Sequence, residues 1–317
     1  MENFYVGNYK YTLLFLDNLI YLDLLKFKNR TLNDTLKTII KDIDDYVNGE
    51  FLPASMTKSQ WVELLESFLN NKENEAFLND YTIQNYETND SDKNGLRACC
   101  FVKENNEEIE DVVAVFRGTS GVNEWKDDLM MANAVSSEIM DDAAIYIKNL
   151  PEEYGNNITV TGHSKGGNKA QYVTIVTDRI GRCVSFDGQG FSKEFLEFYS
   201  ARIEERKSII TSISAEHDFV NSLLFPIAGD IKYIKADFDK EFGLNHCPNK
   251  VFNSNGELNE EVEQPAFLSR LISYLTKYSS ATVSDSTLNA ILEIISECVV
   301  VPTFLSESNK LCSLYIN

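Results

Sequence analysis

Histidine is the scarcest reactive residue in this chain: His163, His217 and His246 are the only three among 317 residues. Any chemistry that needs an imidazole is confined to them. Six cysteines, Cys99, Cys100, Cys183, Cys247, Cys298 and Cys312, show no C-x-x-C spacing, which argues against zinc ribbons and thioredoxin-type redox motifs. Scattered thiols without a disulfide framework point to a reducing compartment. Positive charge is also short. With 29 Lys and Arg against 49 Asp and Glu, the formal net charge is −20, so most of the surface repels nucleic acid and anionic membrane. Only 15 glycines and 6 prolines are present, which excludes collagen-like and low-complexity chains. The one N-terminal apolar run, Tyr11 to Phe27, is interrupted by Asp17 and Asp23 and is too short to span a bilayer. It carries no small-residue cleavage site, and Lys10 only balances Glu2. The run reads as a buried amphipathic helix, and the chain as cytoplasmic, with no transmembrane segment.

What is present is an α/β pattern. Leu13, Leu16, Ile20, Leu24 and Phe27 recur at helical spacing, as do Trp61, Leu64, Leu65 and Phe68. From Gly95 the texture changes to short β-rich runs, which predict strands at Arg97–Val102, Asp111–Arg117, Asn157–Thr161, Arg182–Phe186, Ile209–Ala215 and Asp230–Lys235. Helices are expected at Asp141–Leu150 and Lys165–Thr177. Two more follow in the tail, one through Phe267, Leu271, Ile272 and Leu275, the other through Leu288, Ile291, Leu292 and Ile295. Strands alternating with helices imply a largely parallel sheet covered on both faces. Polar stretches at Asn70–Glu75, Asn85–Asn94 and Asn253–Gln264 read as the flexible ones. The expectation is a single domain: a helical part over 1–90, a sheet core over 95–252 and C-terminal helices over 264–317.

Gly162-His163-Ser164-Lys165-Gly166-Gly167 satisfies G-x-S-x-G between the run Ile158–Thr161 and a helical pattern. That context is what a nucleophile elbow needs: a strand-to-helix turn tight enough to demand small residues two positions either side of an exposed serine hydroxyl. The plain alternative is a glycine-rich turn that merely carries a serine. A serine nucleophile needs a base, oriented by a third group. His163 occupies the turn, with its side chain expected to point away from Ser164, and His217 abuts an acid candidate. His246 remains as the base. Asp218, in Glu216-His217-Asp218-Phe219, ends the second strand after the nucleophile and is the favoured acid; Asp187, in Phe186-Asp187-Gly188, is the alternative. The backbone N–H of Lys165 and the residue after Arg117-Gly118, Thr119, are the candidates for an oxyanion hole.

Phe116-Arg117-Gly118-Thr119, Trp125 with Asp127-Asp128-Leu129, and the Gly162–Gly167 turn resemble the class 3 lipases. Lys165, Asn168 and Phe186-Asp187-Gly188-Gln189-Gly190-Phe191 resemble more closely a bacterial lipase-like family of unknown function within that superfamily. The resemblance is good from Leu96 to Phe191, weak at Asp17–Tyr21 and thin after residue 200. It implies an α/β-hydrolase fold and carboxylic ester hydrolysis, with Ser164 as nucleophile, Asp218 (Val220 nearby) and His246 as partners, and Thr119 in the oxyanion hole. Lys165 replaces the leucine usual after the nucleophile, and the absent secretion signal favours an intracellular lipid or small ester over secreted fat digestion. No metal or organic cofactor is implied. A thioesterase or amidase would use the same triad, and a degenerate hydrolase acting as a binding module is the non-enzymatic rival.

Overall fold

The computed structural model describes residues 9–47, 53–88, 95–118, 135–240, 242–252 and 258–282. In chain order the helices are α1 (Tyr9–Leu19), α2 (Leu32–Lys41), α3 (Lys58–Asn70), α4 (Glu75–Asp80), α5 (Glu138–Asn149), α6 (Lys165–Val176), α7 (Lys193–Phe198), α8 (Ser200–Arg206) and α9 (Phe267–Thr282). The strands are β1 (Tyr81–Thr88), β2 (Arg97–Asn105), β3 (Glu108–Phe116), β4 (Ile158–His163), β5 (Ile180–Phe186), β6 (Ile210–Ala215), β7 (Asp230–Ile234) and β8 (Glu261–Val262). All eight form one sheet in the order β1 to β8. β3 to β7 run parallel, while β1 and β2 on one side and β8 on the other are antiparallel additions. This is the α/β class expected, with each strand lying beside its predecessor.

Strand alternation divides the core in two. Cys99, Phe101, Val113, Val115, Val184 and Phe186 face the N-terminal helices, packed with Leu16, Ile20, Leu36, Trp61 and Phe68. Ala98, Cys100, Val112, Ala114, Ile158, Val160 and Cys183 face the opposite layer, which α5 and α6 build with Ala143, Ile147, Ala170 and Val173. The layers have recognisable local causes. Thr57 and Gln60 close a capping box that starts α3. Trp61 on the first turn of that helix is fully buried and donates its Nε1–H to Pro53 O at 3.0 Å.

Three expectations change. The N-terminal run is a shorter helix than Tyr11–Phe27 and is not amphipathic: every residue from Tyr11 to Leu22 is buried. α1 lies against β3, β4 and β5 on one side and α3 on the other, with the Phe15 and Phe68 rings stacked at 3.6 Å, so no face is left for solvent. The stretch Asn85–Asn94, expected to be flexible, begins inside a strand, because its first residues belong to β1. There the register shifts between Gln84 and Glu87, and Asn85 takes φ 47°, a bulge in a polar edge strand that erases the alternating signature. β8 has two residues, too few for any pattern. The second tail helix, Leu288–Ile295, lies outside the described residues. Among them, no helix is long and apolar enough to cross a membrane.

Candidate active site

β4 ends in the turn that the motif anticipates. Ser164 follows its last residue with φ 61° and ψ −128° and precedes the first residue of α6, Lys165. A non-glycine residue at positive φ stores strain, and such strain concentrates at functional sites. The turn is held by Ser164 N–H donating to Phe186 O at 2.8 Å and Asn168 N–H donating to Ser164 O at 3.1 Å. Its glycines are required by contact. A Cβ on Gly162 would collide with the Gly166 backbone, and one on Gly166 would collide with Phe116 O. The close approach of Gly166 brings the end of β3 over the elbow, so that a Cβ on Gly118 would sit 3.1 Å from Ser164 Cβ. Lys169, buried on the first turns of α6, pins the same strand end by donating Nζ–H to Arg117 O at 3.0 Å. Ser164 is only 4% exposed, in contrast to the exposed hydroxyl the motif suggests.

The favoured acid and base meet. His246 Nδ1 and Asp218 Oδ1 are 2.6 Å apart, both residues buried. Asp218 follows β6, and its carboxylate also accepts backbone N–H bonds from Val220 (3.2 Å) and Asn221 (2.6 Å), which fix the loop. His246 closes a short 3₁₀ turn, Phe242–His246, braced by Asn245, which accepts from Asp239 N–H at 2.8 Å and donates to Asp239 O at 2.9 Å. Burial pushes Asp218 up to about 7 against the pull of its backbone donors, and pushes His246 down to about 3. The resting imidazole is therefore neutral.

Asp187, the alternative acid, pairs with a different histidine. It follows β5 at φ 49°, accepts Ala215 N–H at 2.9 Å through Oδ1, and places Oδ2 3.6 Å from Nε2 of His163. The His163 ring is buried, its Nδ1 is 3.3 Å from the Tyr21 hydroxyl on the turn after α1, and its centroid is 4.7 Å from that of His246 with 32° between the planes. Sequence reasoning set His163 aside as a turn residue. Alternation along β4 is the signal that would have placed it: Thr159, Thr161 and His163 share the face turned to α1, and Thr161 donates to buried Asp17 at 2.9 Å, one turn before Tyr21. Burial lowers His163, and Asp187 is raised to about 6 by burial and by the Asp218 charge. Asp17 lies well above the carboxylate range for the same reason of burial.

His217 stands apart, half-buried beside Phe238 with a 5.4 Å ring separation. Lys165 is buried at the first position of α6, where its main chain adjoins the helix N-terminus. Thr119, Trp125 and Asp127–Leu129 lie outside the described residues. Among the described residues no group of three or more His, Cys, Asp or Glu side chains is placed to hold a metal ion.

Comparison with known proteins adds a similarity over part of the chain. The model of the Mbeg1-like family, a lipase-like family of unknown function, matches residues 74–225, a little under half of the chain. No curated protein matches. Among solved structures, the crystal structure of M37 lipase is similar at 16% identity, with a TM-score of 0.39 over 68% of this chain and 70% of that one. The matched stretch runs from α4 through β6 and carries the elbow, Asp187 and Asp218, while His246 lies beyond it. Residues 74–225 are thus similar to the lipase-like Mbeg1-like family.

Proposed function

We propose that the chain is a serine hydrolase of carboxylic esters. Ser164 attacks the ester carbonyl, and His246 takes the hydroxyl proton as general base, then returns it to the leaving alcohol. Asp218 holds Nδ1–H of His246 and stabilises the imidazolium that forms; Lys165 N–H and Thr119 receive the oxyanion. Water then attacks the acyl-enzyme by the same route in reverse, releasing the acid and restoring the serine.

The single observation that carries this reading is the 2.6 Å contact between Asp218 and His246. The two are 28 residues apart on separate loops, and each was a candidate for this pairing by its order after an elbow serine. The strained backbone of Ser164 at a helix N-terminus supports it. The substrate is a small-molecule or lipid ester. Cys99, Cys100, Cys183 and Cys247 are all free and buried, in keeping with a cytoplasmic, reducing location.

Labelling with a fluorophosphonate probe tests the reading, since only an activated serine reacts quickly. Wild type labels and hydrolyses p-nitrophenyl esters in a panel from acetate to palmitate, and Ser164→Ala does neither. Turnover by that variant close to wild type overturns the assignment. A thioester run beside the panel separates esterase from thioesterase.

A further inference from the structure

The triad leaves a second set of buried polar groups without a task. Both ring nitrogens of His163 are faced by specific partners, and its ring lies against that of His246. His163 Nε2 is buried beyond hydrogen-bond distance of any side chain; the Asp187 carboxylate faces it at 3.6 Å, and the ring also meets the main chain of His246. Asp187 itself sits at positive φ, where an aspartate is tolerated at a cost, with one oxygen anchored on Ala215 N–H and the other left for His163. A histidine that merely filled space would need none of this.

We propose that Asp187, His163 and Tyr21 form a second acid–imidazole chain that presents a neutral ring face to His246 and so holds the plane in which His246 works. This rests on the hydrolase reading, and the three are positioning residues, since none is argued to touch substrate. The tautomers follow from the partners. Asp187, an acceptor when ionised, takes Nε2–H of His163, which leaves Nδ1 as the acceptor for the Tyr21 hydroxyl. His246 has the opposite tautomer, with Nδ1–H on Asp218 and Nε2 free of a proton for catalysis. Neutrality matters because His246 becomes cationic during the reaction, and a second charge on the adjoining, tilted ring would oppose that step. The arrangement also explains why α1 is buried against β4: it delivers Tyr21 to His163 and, one turn earlier, Asp17 to Thr161.

The groups that face this chain are His246 and Cys247 from the 3₁₀ turn and its end, and Asp218 from the β6 loop, while Asp17 of α1 lies on Thr161 one turn before Tyr21. Because Asp187 and Asp218 repel each other, removing the Asp187 charge makes Asp218 easier to ionise. Asp187→Asn therefore moves the acid limb of the pH–kcat profile to lower pH, and lowers kcat at least tenfold at little change in KM.

The decisive measurement needs no activity. Two-bond 15N–1H spectra of the full chain at pH 8, recorded on wild type and on Ser164→Ala, read the histidine tautomers directly. Expected are Nε2–H for His163 and Nδ1–H for His246. In Asp187→Asn the side-chain amide donates to Nε2, and His163 switches to Nδ1–H; Tyr21→Phe leaves Nε2–H in place. A His163 that is Nδ1–H in wild type, or unchanged by Asp187→Asn, overturns the proposal whatever the ester assay gives. Correct tautomers in a protein that no fluorophosphonate labels would instead remove the hydrolase reading and leave the chain standing.

Discussion

Asp187→Asn is expected to make the protein more stable at pH 8 while making it a poorer hydrolase. The carboxylate is fully enclosed and its folded value is raised from 3.8 to about 6. Because the folded state holds the proton more tightly than the unfolded chain, the stability this group contributes is fully present below 3.8 and is lost as pH rises through about 6. A shift of roughly two units corresponds to about 3 kcal/mol across the whole range at about 1.36 kcal/mol per unit. About 1.4 kcal/mol of that falls between pH 5 and pH 8, clear of the isoelectric point near 4.6. Asparagine keeps an oxygen for Ala215 N–H and offers an amide to His163, so the substitution removes the charge with little change of shape. Urea unfolding of both proteins at pH 5 and pH 8 measures the effect: the variant minus wild-type difference should be larger at pH 8 by about 1.4 kcal/mol. An equal difference at the two pH values, or a larger one at pH 5, would refute the argument that burial of an ionised Asp187 is the cost.

The remaining expectations are compact. Ester hydrolysis should fall as pH drops through about 7, because Asp218 must be ionised to hold its histidine and burial raises it to that value; an acid limb near 5 would contradict this. Ser164→Gly should raise stability by about 1 kcal/mol or more in thermal unfolding, since it relieves the positive φ and the serine side chain makes no capping bond, while labelling disappears. Gly166→Ala should cost at least about 3 kcal/mol or prevent folding, as its Cβ meets Phe116 O and cannot rotate away; soluble, fully stable protein would count against the close approach of β3 to the elbow. Lys165→Leu should keep most activity, because only its backbone N–H is asked to bind the oxyanion; loss of kcat comparable to Ser164→Ala would give its ammonium a role.

The parts of the fold that could be read from the sequence are those whose cause is local. The strand Ile158–His163, the Ser164 turn and α6 are adjacent in the chain, and two glycines with no room for a Cβ announce them. Asp218 was reachable by counting strands, because the parallel strands keep sequence order. β1 was not reachable, since its outer half is polar and bulged at an edge, where burial imposes no alternation. Nor was the Tyr21–His163–Asp187 set: Tyr21 and His163 are 142 residues apart, and no spacing rule links a helix end to a strand that forms so much later. The burial of Ser164 was missed for the same reason, because the motif describes the turn and not what other segments lay over it.

The long reach of α1 has a consequence for biosynthesis. Strands that pair with their predecessors let most of the sheet grow as the chain emerges, but α1 is made long before its partner on β4: Asp17 waits for Thr161 across 144 residues. At ribosomal speeds of roughly 5–20 residues per second that wait lasts on the order of 7–30 s. For that interval a helix that ends up with no solvent-facing side carries its leucines and Phe15 uncovered, or shielded only by α2 and α3. Nascent chains stalled between α3 and β4 should therefore be the aggregation-prone stage of synthesis and the one that recruits chaperones.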